Sequence, residues 1–237
     1  MGINIYRPKY DVYSSNKLAS NYGLYITKRP KVPSARKRYK EYYVPGRDGA
    51  LLVDEGYEDI VLPVKFNMVA NNAKKAFREA KEFFDYSYTL SFSDDPSVYY
   101  NIQSYEIEPA ENPMQDVIRF TVNYTLEPFA YLNEEPITLT SPGTIKRKGN
   151  YKAEPLIVVY GSGDSTLTIS ANTMKIFDQK EPIAINSALE EAYTWNGRQN
   201  MNKFVFGDYP VFTALSNQVS WTGGISSILI YCNFRYV

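Results

Sequence analysis

Hydrophobic and polar residues alternate most regularly along residues 60–68. The apolar members of this series are Ile60, Leu62, Val64, Phe66 and Met68, and the intervening residues are Val61, Pro63, Lys65 and Asn67. A period of two is typical of a β-strand that buries one of its faces. Because Pro63 has no N–H to donate, the pattern also predicts that this strand lies at a sheet edge or is interrupted there.

Helical spacing replaces this alternation after Ala70. The apolar residues on the predicted inner face are Ala73, Ala76, Phe77, Ala80, Phe83 and Phe84. This stripe predicts an amphipathic helix over residues 70–85 that covers one face of a sheet. Further strands are predicted at Tyr88–Phe92, at residues 98–107 with a change of phase near Gln103, and at residues 117–126. Residues 1–130 therefore predict an α+β domain with an antiparallel sheet and one helix.

A turn is predicted between two strands at Val44–Gly49. Pro45 presets φ for the first corner, and Gly46 can adopt the positive φ that a type II turn requires next. Asp48-Gly49 is a second turn dipeptide. The candidate structural turn consists of Pro45, Gly46, Arg47, Asp48 and Gly49.

The second half of the chain has a different pattern. Prolines 128, 136 and 142 punctuate residues 127–150. We interpret residues 131–150 as a connector. Residues 151–237 then contain short apolar runs separated by turn residues, including Gly161–Asp164, which we interpret as a hairpin turn. Short strands at this spacing favour a β-sandwich. The predicted fold is mostly β.

The amino-acid composition argues against several classes of function. The chain has 237 residues, and its 26 Lys and Arg residues balance its 26 Asp and Glu residues. It therefore has no overall field to attract nucleic acid or an anionic membrane. No apolar run reaches the length of a membrane helix, and the opening Met1–Tyr6 does not resemble a signal peptide. The single Cys232, in an apolar run, is expected to be a buried, inert thiol, and cytosolic folding is the simplest inference.

The absence of histidine argues against catalysis. It removes histidine-based triads, the usual acid–base residue and most zinc sites, and one cysteine cannot form a thiolate cluster. We assign no catalytic residue, no metal ligand and no cofactor. The protein is not expected to be an enzyme.

A basic run precedes the predicted turn, with cations concentrated between Lys28 and Lys40. A nucleic-acid patch is one interpretation. No aromatic residue interleaves before Tyr39, however, and the net charge is zero. We favour a solvated arm or a polar subunit contact, with Arg36, Lys37 and Arg38 as the candidate contact residues.

Aromatic residues supply two further hypotheses. The chain has 22 tyrosines, which suit either exposed strands or extensive subunit contacts. Tyr193, Trp195 and Trp221 are candidate stacking platforms for a sugar, although tryptophans in β-sandwiches more often belong to the core.

The order of these motifs resembles the distal tail protein (Dit) family of long-tailed siphophages. The resemblance rests on the basic segment Arg29–Arg38, the turn Val44–Gly49, the helix and the run Leu90–Pro96. In the second half it rests on Pro155–Ile157 with Gly161–Gly163, on Asp208–Val211, and on Ser216–Val219. The run Leu215-Ser216-Asn217 departs from the family pattern, because a glycine usually precedes the asparagine there. The amino-terminal tip is also longer and more polar than is usual.

The resemblance implies a structural virion protein with a galectin-like second domain. Such a protein would form a homo-hexameric ring that surrounds the DNA channel at the tail tip. Its implied partners are the major tail tube protein, the tail-tip hub protein and receptor-binding or baseplate proteins, without sequence-specific DNA binding or membrane insertion. It would be made and assembled in the host cytoplasm. A carbohydrate-binding module acting in host adsorption and a tail tube subunit are the alternatives.

Overall fold

The structure is a computed structural model that describes residues 10–197 and 199–237. The expectations for Met1–Tyr6 lie outside these residues. The chain divides into two compact units. The first comprises the described residues up to Ala130 together with Val237, and the second comprises Tyr131–Tyr236. Both units are dominated by antiparallel strands, which confirms the mostly β fold predicted from the sequence.

The first unit contains one α-helix, α1 (Ala73–Ala80), and short 3-10 helices at Ala19–Tyr22 and Lys81–Phe83. Its strands are β1 (Val12–Ser14), β2 (Lys17–Leu18), β3 (Tyr25–Ile26), β4 (Lys37–Tyr42), β5 (Leu51–Tyr57), β6 (Ile60–Val69), β7 (Thr89–Phe92), β8 (Asp95–Ile107), β9 (Glu111–Met114) and β10 (Val117–Leu126). The main sheet has the order β2-β1-β7-β8-β10-β6-β3, and β9 pairs with β10. Strands β4 and β5 form a separate two-stranded sheet.

Strands β6 and β10 form the centre of this unit. They pair antiparallel along their whole length, from Val117 opposite Val69 to Leu126 opposite Ile60. Their alternate residues are buried, as the period of two predicts. Pro63 does not interrupt β6. Of the described strands, only β3 pairs with the other side of β6, at Phe66 and Asn67, so Pro63 lies on an open edge.

The helix is shorter than the predicted range of 70–85. Asn72 caps its amino end, because its side-chain oxygen accepts a hydrogen bond from the Lys75 N–H at 3.1 Å. After Ala80 the chain tightens into a 3-10 turn, and at Tyr86 it adopts a φ of +54°. The apolar stripe therefore continues beyond the regular helix. No helix among the described residues is long and apolar enough to cross a membrane.

An aromatic cluster holds the helix against the sheet. Phe66, Phe83 and Phe84 are almost completely buried, and Phe66 stacks on Phe120 with ring centroids 5.6 Å apart. The ring of Phe77 meets that of Phe120 edge-on at 4.7 Å. Burying large aromatic side chains contributes far more than the exposed Lys75–Glu79 ion pair on the outer face of the helix.

Tyr124 leads to a prediction about the same core. Its side chain is fully buried, and its hydroxyl has no hydrogen-bond partner in the structure. An unpaired buried hydroxyl is destabilising, so Tyr124→Phe should raise the free energy of unfolding by about 1 kcal/mol. Chemical denaturation would measure this. Tyr131→Phe is the matched control, since the Tyr131 hydroxyl accepts a hydrogen bond from Arg235, and it should be destabilising. A loss of stability in Tyr124→Phe would contradict the prediction.

Where the structure describes the second unit, it consists of strands and one short 3-10 helix, Asn202–Phe204. The strands that lie wholly or mostly in it are β11 (Ala130–Leu132), β12 (Ile137–Leu139), β13 (Gly143–Lys146), β14 (Leu156–Ile169), β15 (Asn172–Gln179), β16 (Ile183–Asn186), β17 (Glu191–Thr194), β18 (Val205–Gly207), β19 (Ser216–Tyr231) and β20 (Arg235–Tyr236). The sheet order is β12-β19-β14-β15-β18, with β13 beside β19, β16 beside β14 and β17 beside β16. Residues 131–150 are therefore not a simple connector, because β12 and β13 both pair with β19.

Two long strands replace several predicted short ones. Strand β14 continues through Gly161–Asp164, so the hairpin turn predicted there is wrong. Strand β19 likewise continues through Gly223 and Gly224. The stretch Gly161–Ser165 is longer than the stretch Gly223–Ile225 opposite it, which produces a bulge in the pairing. Gly161, Gly223 and Gly224 are required there, because a Cβ atom at any of them would overlap backbone atoms of the opposite strand.

A single core fills the second unit. Residues from both sides of the bulge contribute to it, including Ile157 and Leu167 of β14 and Val219 and Ile230 of β19. The sheet is therefore folded over one core, as in the predicted β-sandwich. Cys232 is buried at its margin, and burial raises the pKa of the thiol to about 12, so it remains protonated at neutral pH.

Candidate assembly surfaces

The hairpin formed by β4 and β5, residues 37–57, pairs with no other described strand. None of its residues belongs to either core cluster. Nevertheless Leu51, Leu52 and Val53 are between 42% and 55% exposed, and Tyr39 and Tyr42 are also exposed. An isolated two-stranded hairpin is marginally stable in water. A hairpin that carries this much exposed apolar surface is suited to binding a partner.

Both faces of the hairpin are partly apolar. Glu41 lies opposite Leu52, and Tyr39 lies opposite Asp54, so these residues share one face. Tyr42 lies opposite Leu51 and Lys40 opposite Val53, which gives the other face two apolar residues and a tyrosine. The hairpin can therefore contact protein on both sides.

The predicted turn forms the tip of the hairpin. The carbonyl of Val44 accepts a hydrogen bond from the Arg47 N–H at 3.1 Å, and Gly46 has a φ of +80°. This is the geometry of a type II turn with Pro45 at its first corner. Gly49 also has a positive φ, of +76°. The side chains of Arg47 and Asp48 are exposed at the end of the tip.

Two of the three candidate contact cations are paired within their own hairpin. Lys37 Nζ lies 2.5 Å from a carboxylate oxygen of Asp54, and Arg38 donates to the Glu55 carbonyl at 2.9 Å. The hydrogen bond between Lys37 and Asp54 raises the pKa of the lysine and lowers that of the carboxyl group. Because the pKa of Asp54 is lower in the folded chain, this pairing is present at neutral pH and is lost as the pH falls through that pKa. The Arg36 side chain is exposed at the base of the hairpin.

A polar face covers the side of the main sheet opposite α1. Its cations, Lys65 and Arg119, lie among carboxylates from β8 and β9 and the loop between them, which are Glu106, Glu108 and Glu111. Asn123 donates a hydrogen bond to Glu108 at 2.9 Å. We call this surface the polar sheet face. Its charges are mixed, so it has no strong attraction for phosphate groups.

The three candidate sugar-stacking residues do not all lie on one surface, because Trp221 faces the core and the other two do not. Trp221 lies opposite Leu167 and packs against the core of the second unit. Trp195 is 41% exposed and stacks on Tyr231, with ring centroids 6.2 Å apart. Tyr193 is half-buried on β17. Among the residues that the structure describes, no group of three or more His, Cys, Asp or Glu side chains is placed to hold a metal ion.

Comparison with known proteins gives structural matches only. No protein-family model matches the sequence, and no curated protein matches it. The crystal structure of SPP1 Dit, a paradigm of the hub adsorption apparatus in phages that infect Gram-positive bacteria, superimposes with a TM-score of 0.66 and 14% sequence identity. The match covers 96% of this chain and 99% of SPP1 Dit. The chain has the Dit fold.

Two further structures support the same fold. Both are of the phage p2 baseplate in its activated conformation, one with Sr and one with Ca. Each matches with a TM-score of 0.55 and 8% identity, over 95% of this chain and 98% of the matched chain. The resemblance to Dit proteins predicted from the sequence is thereby confirmed at the level of the fold.

Within this Dit fold, the exposed hairpin is the surface that sequence reasoning missed. The run Leu51-Leu52-Val53 contains three consecutive apolar residues next to the predicted turn. A strand buried on one face would alternate, so an unbroken apolar run beside a tight turn could have indicated a hairpin covered on both faces. The core-facing position of Trp221 could also have been predicted, because Trp221 lies two residues from the apolar Val219 and therefore on the same face of a strand.

Proposed function

We propose that this chain is a structural subunit of a phage tail hub, a distal tail protein that closes into a homo-hexameric ring. The observation that carries the proposal is the Dit fold, which covers 96% of this chain and 99% of SPP1 Dit. In this role the ring connects the non-contractile tail tube to the tail tip. The protein performs no chemistry, and no cofactor is involved.

The hairpin supports assembly through unlike surfaces. A closed ring of identical subunits needs one surface of each subunit to fit a different surface of the next. The hairpin supplies apolar residues on both faces, such as Leu52 on one and Val53 on the other. Covering them with a neighbouring subunit would stabilise a segment that is marginal on its own.

The passage through the ring would be lined by the polar sheet face. Moving DNA would be retarded by a strongly cationic wall, because its phosphates would bind there. The mixed charges around Lys65 and Arg119 avoid this. Arg36, Lys37 and Arg38 would instead face protein. A structure of the ring with these three cations lining the hole would contradict this assignment.

The proposed partners are other tail proteins. The major tail tube protein would bind one side of the ring and the tail-tip hub protein the other. Receptor-binding or baseplate proteins would bind the second unit, which is predicted to be galectin-like. The protein would be made and assembled in the host cytoplasm and would remain at the tail tip of the virion.

The mass of the purified protein tests this proposal. Native mass spectrometry should detect an assembly of six chains of 27.2 kDa, and negative-stain images should show rings. A protein that stays monomeric at high concentration and is absent from virus particles would refute the proposal. Long filaments would instead favour a tail tube subunit.

A carbohydrate-binding module is the second candidate, favoured by one observation. The exposed Trp195 ring stacks on Tyr231, and sugars bind to such aromatic surfaces with polar groups nearby. If this function is correct, glycan-array binding should be lost in Trp195→Ala and in Tyr193→Ala, with the protein monomeric. Trp221→Ala is not a specific test, because that side chain packs against the core. Absence of glycan binding by the native chain would eliminate this candidate.

A further inference from the structure

An open cleft lined by tyrosines lies on the first unit, between the chain after α1 and strand β8. Its volume is about 440 Å³, within the range of roughly 300–1,000 Å³ typical of ligand sites. The buried Phe84 lies at its base. Tyr86 and Tyr88 are 84% and 68% exposed beside it, and Tyr105 is 37% exposed. Three large exposed rings around one cleft form a candidate binding surface.

The walls of this cleft are held in place by hydrogen bonds. The Ile102 N–H donates to the Tyr88 carbonyl at 2.8 Å, which joins the two walls. Gln103 is the extra residue of a bulge in β8, at the phase change predicted from the sequence, and its amide donates to Asp59 at 2.9 Å. The side chain of Tyr105 interacts with Asp85. The cleft is therefore preformed, and two of its lining residues, Gln103 and Tyr105, interact with the carboxylates of Asp59 and Asp85.

These features suit one kind of ligand. Aromatic-lined grooves bind extended proline-containing segments, because the rings pack against the prolines and the tyrosine hydroxyls can donate to exposed backbone carbonyls. The carboxylates of Asp59 and Asp85, which interact with lining residues of the cleft, add a preference for cationic side chains. The expected ligand is thus an extended, basic segment that contains prolines.

The chain itself contains such a segment. Residues 28–36 read Lys-Arg-Pro-Lys-Val-Pro-Ser-Ala-Arg, belong to no helix or strand, and are largely exposed. Pro30 and Pro33 are spaced as in ligands of aromatic grooves, about 9 Å apart in an extended polyproline helix. The segment is attached at both ends. Arg29 forms an ion pair with Asp94 at 3.4 Å, and the Arg36 carbonyl accepts from the Glu58 N–H at 2.8 Å.

The segment does not occupy the cleft of its own chain. None of residues 28–36 lines the cleft, and the attachments at Arg29 and Arg36 hold the segment elsewhere on the unit. We propose that the proline segment, residues 28–36, of one copy docks into the tyrosine cleft of the next copy. This inference rests on the proposed ring. It gives the ring a head-to-tail contact between two different surfaces, as closed assembly requires.

Site-specific photocrosslinking tests this contact in the full-length protein. Tyr88 is replaced by the photoreactive residue p-benzoylphenylalanine, and the assembled protein is irradiated. Covalent dimers should form, and peptide mapping should place the link within residues 28–36. The same replacement at Tyr13, an exposed tyrosine that does not line the cleft, should not link to that segment. A link from Tyr88 to the hairpin tip at residues 43–50 would overturn the inference.

Substitutions give an independent readout. Tyr88→Ala and the double variant Pro30→Ala with Pro33→Ala should each weaken subunit association on the order of tenfold, and combining them should add little. Pro142→Ala, an exposed turn proline in the second unit, should leave association unchanged. Additive losses would overturn the proposed contact. An intact hexamer that does not form the cross-link would overturn only the proposed contact between the proline segment and the cleft. A chain that is monomeric at every concentration would overturn both this contact and the proposed ring.

Discussion

Removing the hairpin is expected to abolish ring assembly while leaving both cores folded. The shortened variant joins Arg36 to Glu58 through Asn-Gly in place of residues 37–57. The Arg36 carbonyl already accepts a hydrogen bond from the Glu58 N–H, so the two ends are close enough for a two-residue turn. No residue of the hairpin belongs to either core cluster, so the unfolding midpoint of the monomer should change little. Native mass spectrometry should detect single chains.

A milder variant tests the apolar side chains of the hairpin while keeping its backbone. Leu51→Ser, Leu52→Ser and Val53→Thr together keep its length and its Lys37–Asp54 pair, yet remove apolar groups from both faces. We expect the affinity between subunits to fall at least tenfold, since burying each large side chain contributes about 1.5–3 kcal/mol. Leu189→Ser is the control, because Leu189 is 65% exposed in the second unit. An undiminished hexamer in the triple variant would show that the hairpin is not a subunit contact.

The parts of the fold that depend on local sequence could be predicted. The alternation from Ile60 to Met68 identifies both the strand and its buried face, because the period of the pattern and the period of the structure are the same. The turn at Pro45 and Gly46 follows from the backbone preferences of those two residues. The bulge at Gln103 was visible as a phase change. None of these predictions needs knowledge of a distant partner.

The parts that depend on distant pairing could not be predicted. Gly161–Gly163 has the composition of a turn, and only the pairing of β14 with β19 shows that the strand continues through it. The same is true of residues 137–146, whose proline and glycine suggested a connector, because their pairing partner is β19 near the other end of the chain. The tyrosine cleft joins Tyr86 and Tyr88 to Tyr105, and no spacing rule in the sequence relates them.

The bulge between β14 and β19 carries the largest stability effect that we expect. A Cβ atom on Gly224 would overlap the carbonyl oxygen of Ser162, which is backbone and cannot rotate away. Gly224→Ala must therefore separate the two longest strands of the second unit or shift their register. We expect a loss of about 3 kcal/mol in the free energy of unfolding, as found for severe overpacking. In thermal unfolding, the midpoint of the second unit should fall by about 10 °C or more.

The matched control is Gly163→Ala in the same bulge. Gly163 has a φ of +74°, but nothing lies within 4 Å of the position that its Cβ would occupy. The free energy of unfolding of this variant should therefore fall only by the cost of placing an alanine in the left-handed region, about 1 kcal/mol. The decisive result is which of the two variants is less stable, because backbone strain alone would make Gly163→Ala the less stable one. If Gly224→Ala were the milder change, the two strands would not approach as closely as the structure shows, and the core on both sides of the bulge would have to be held in another way.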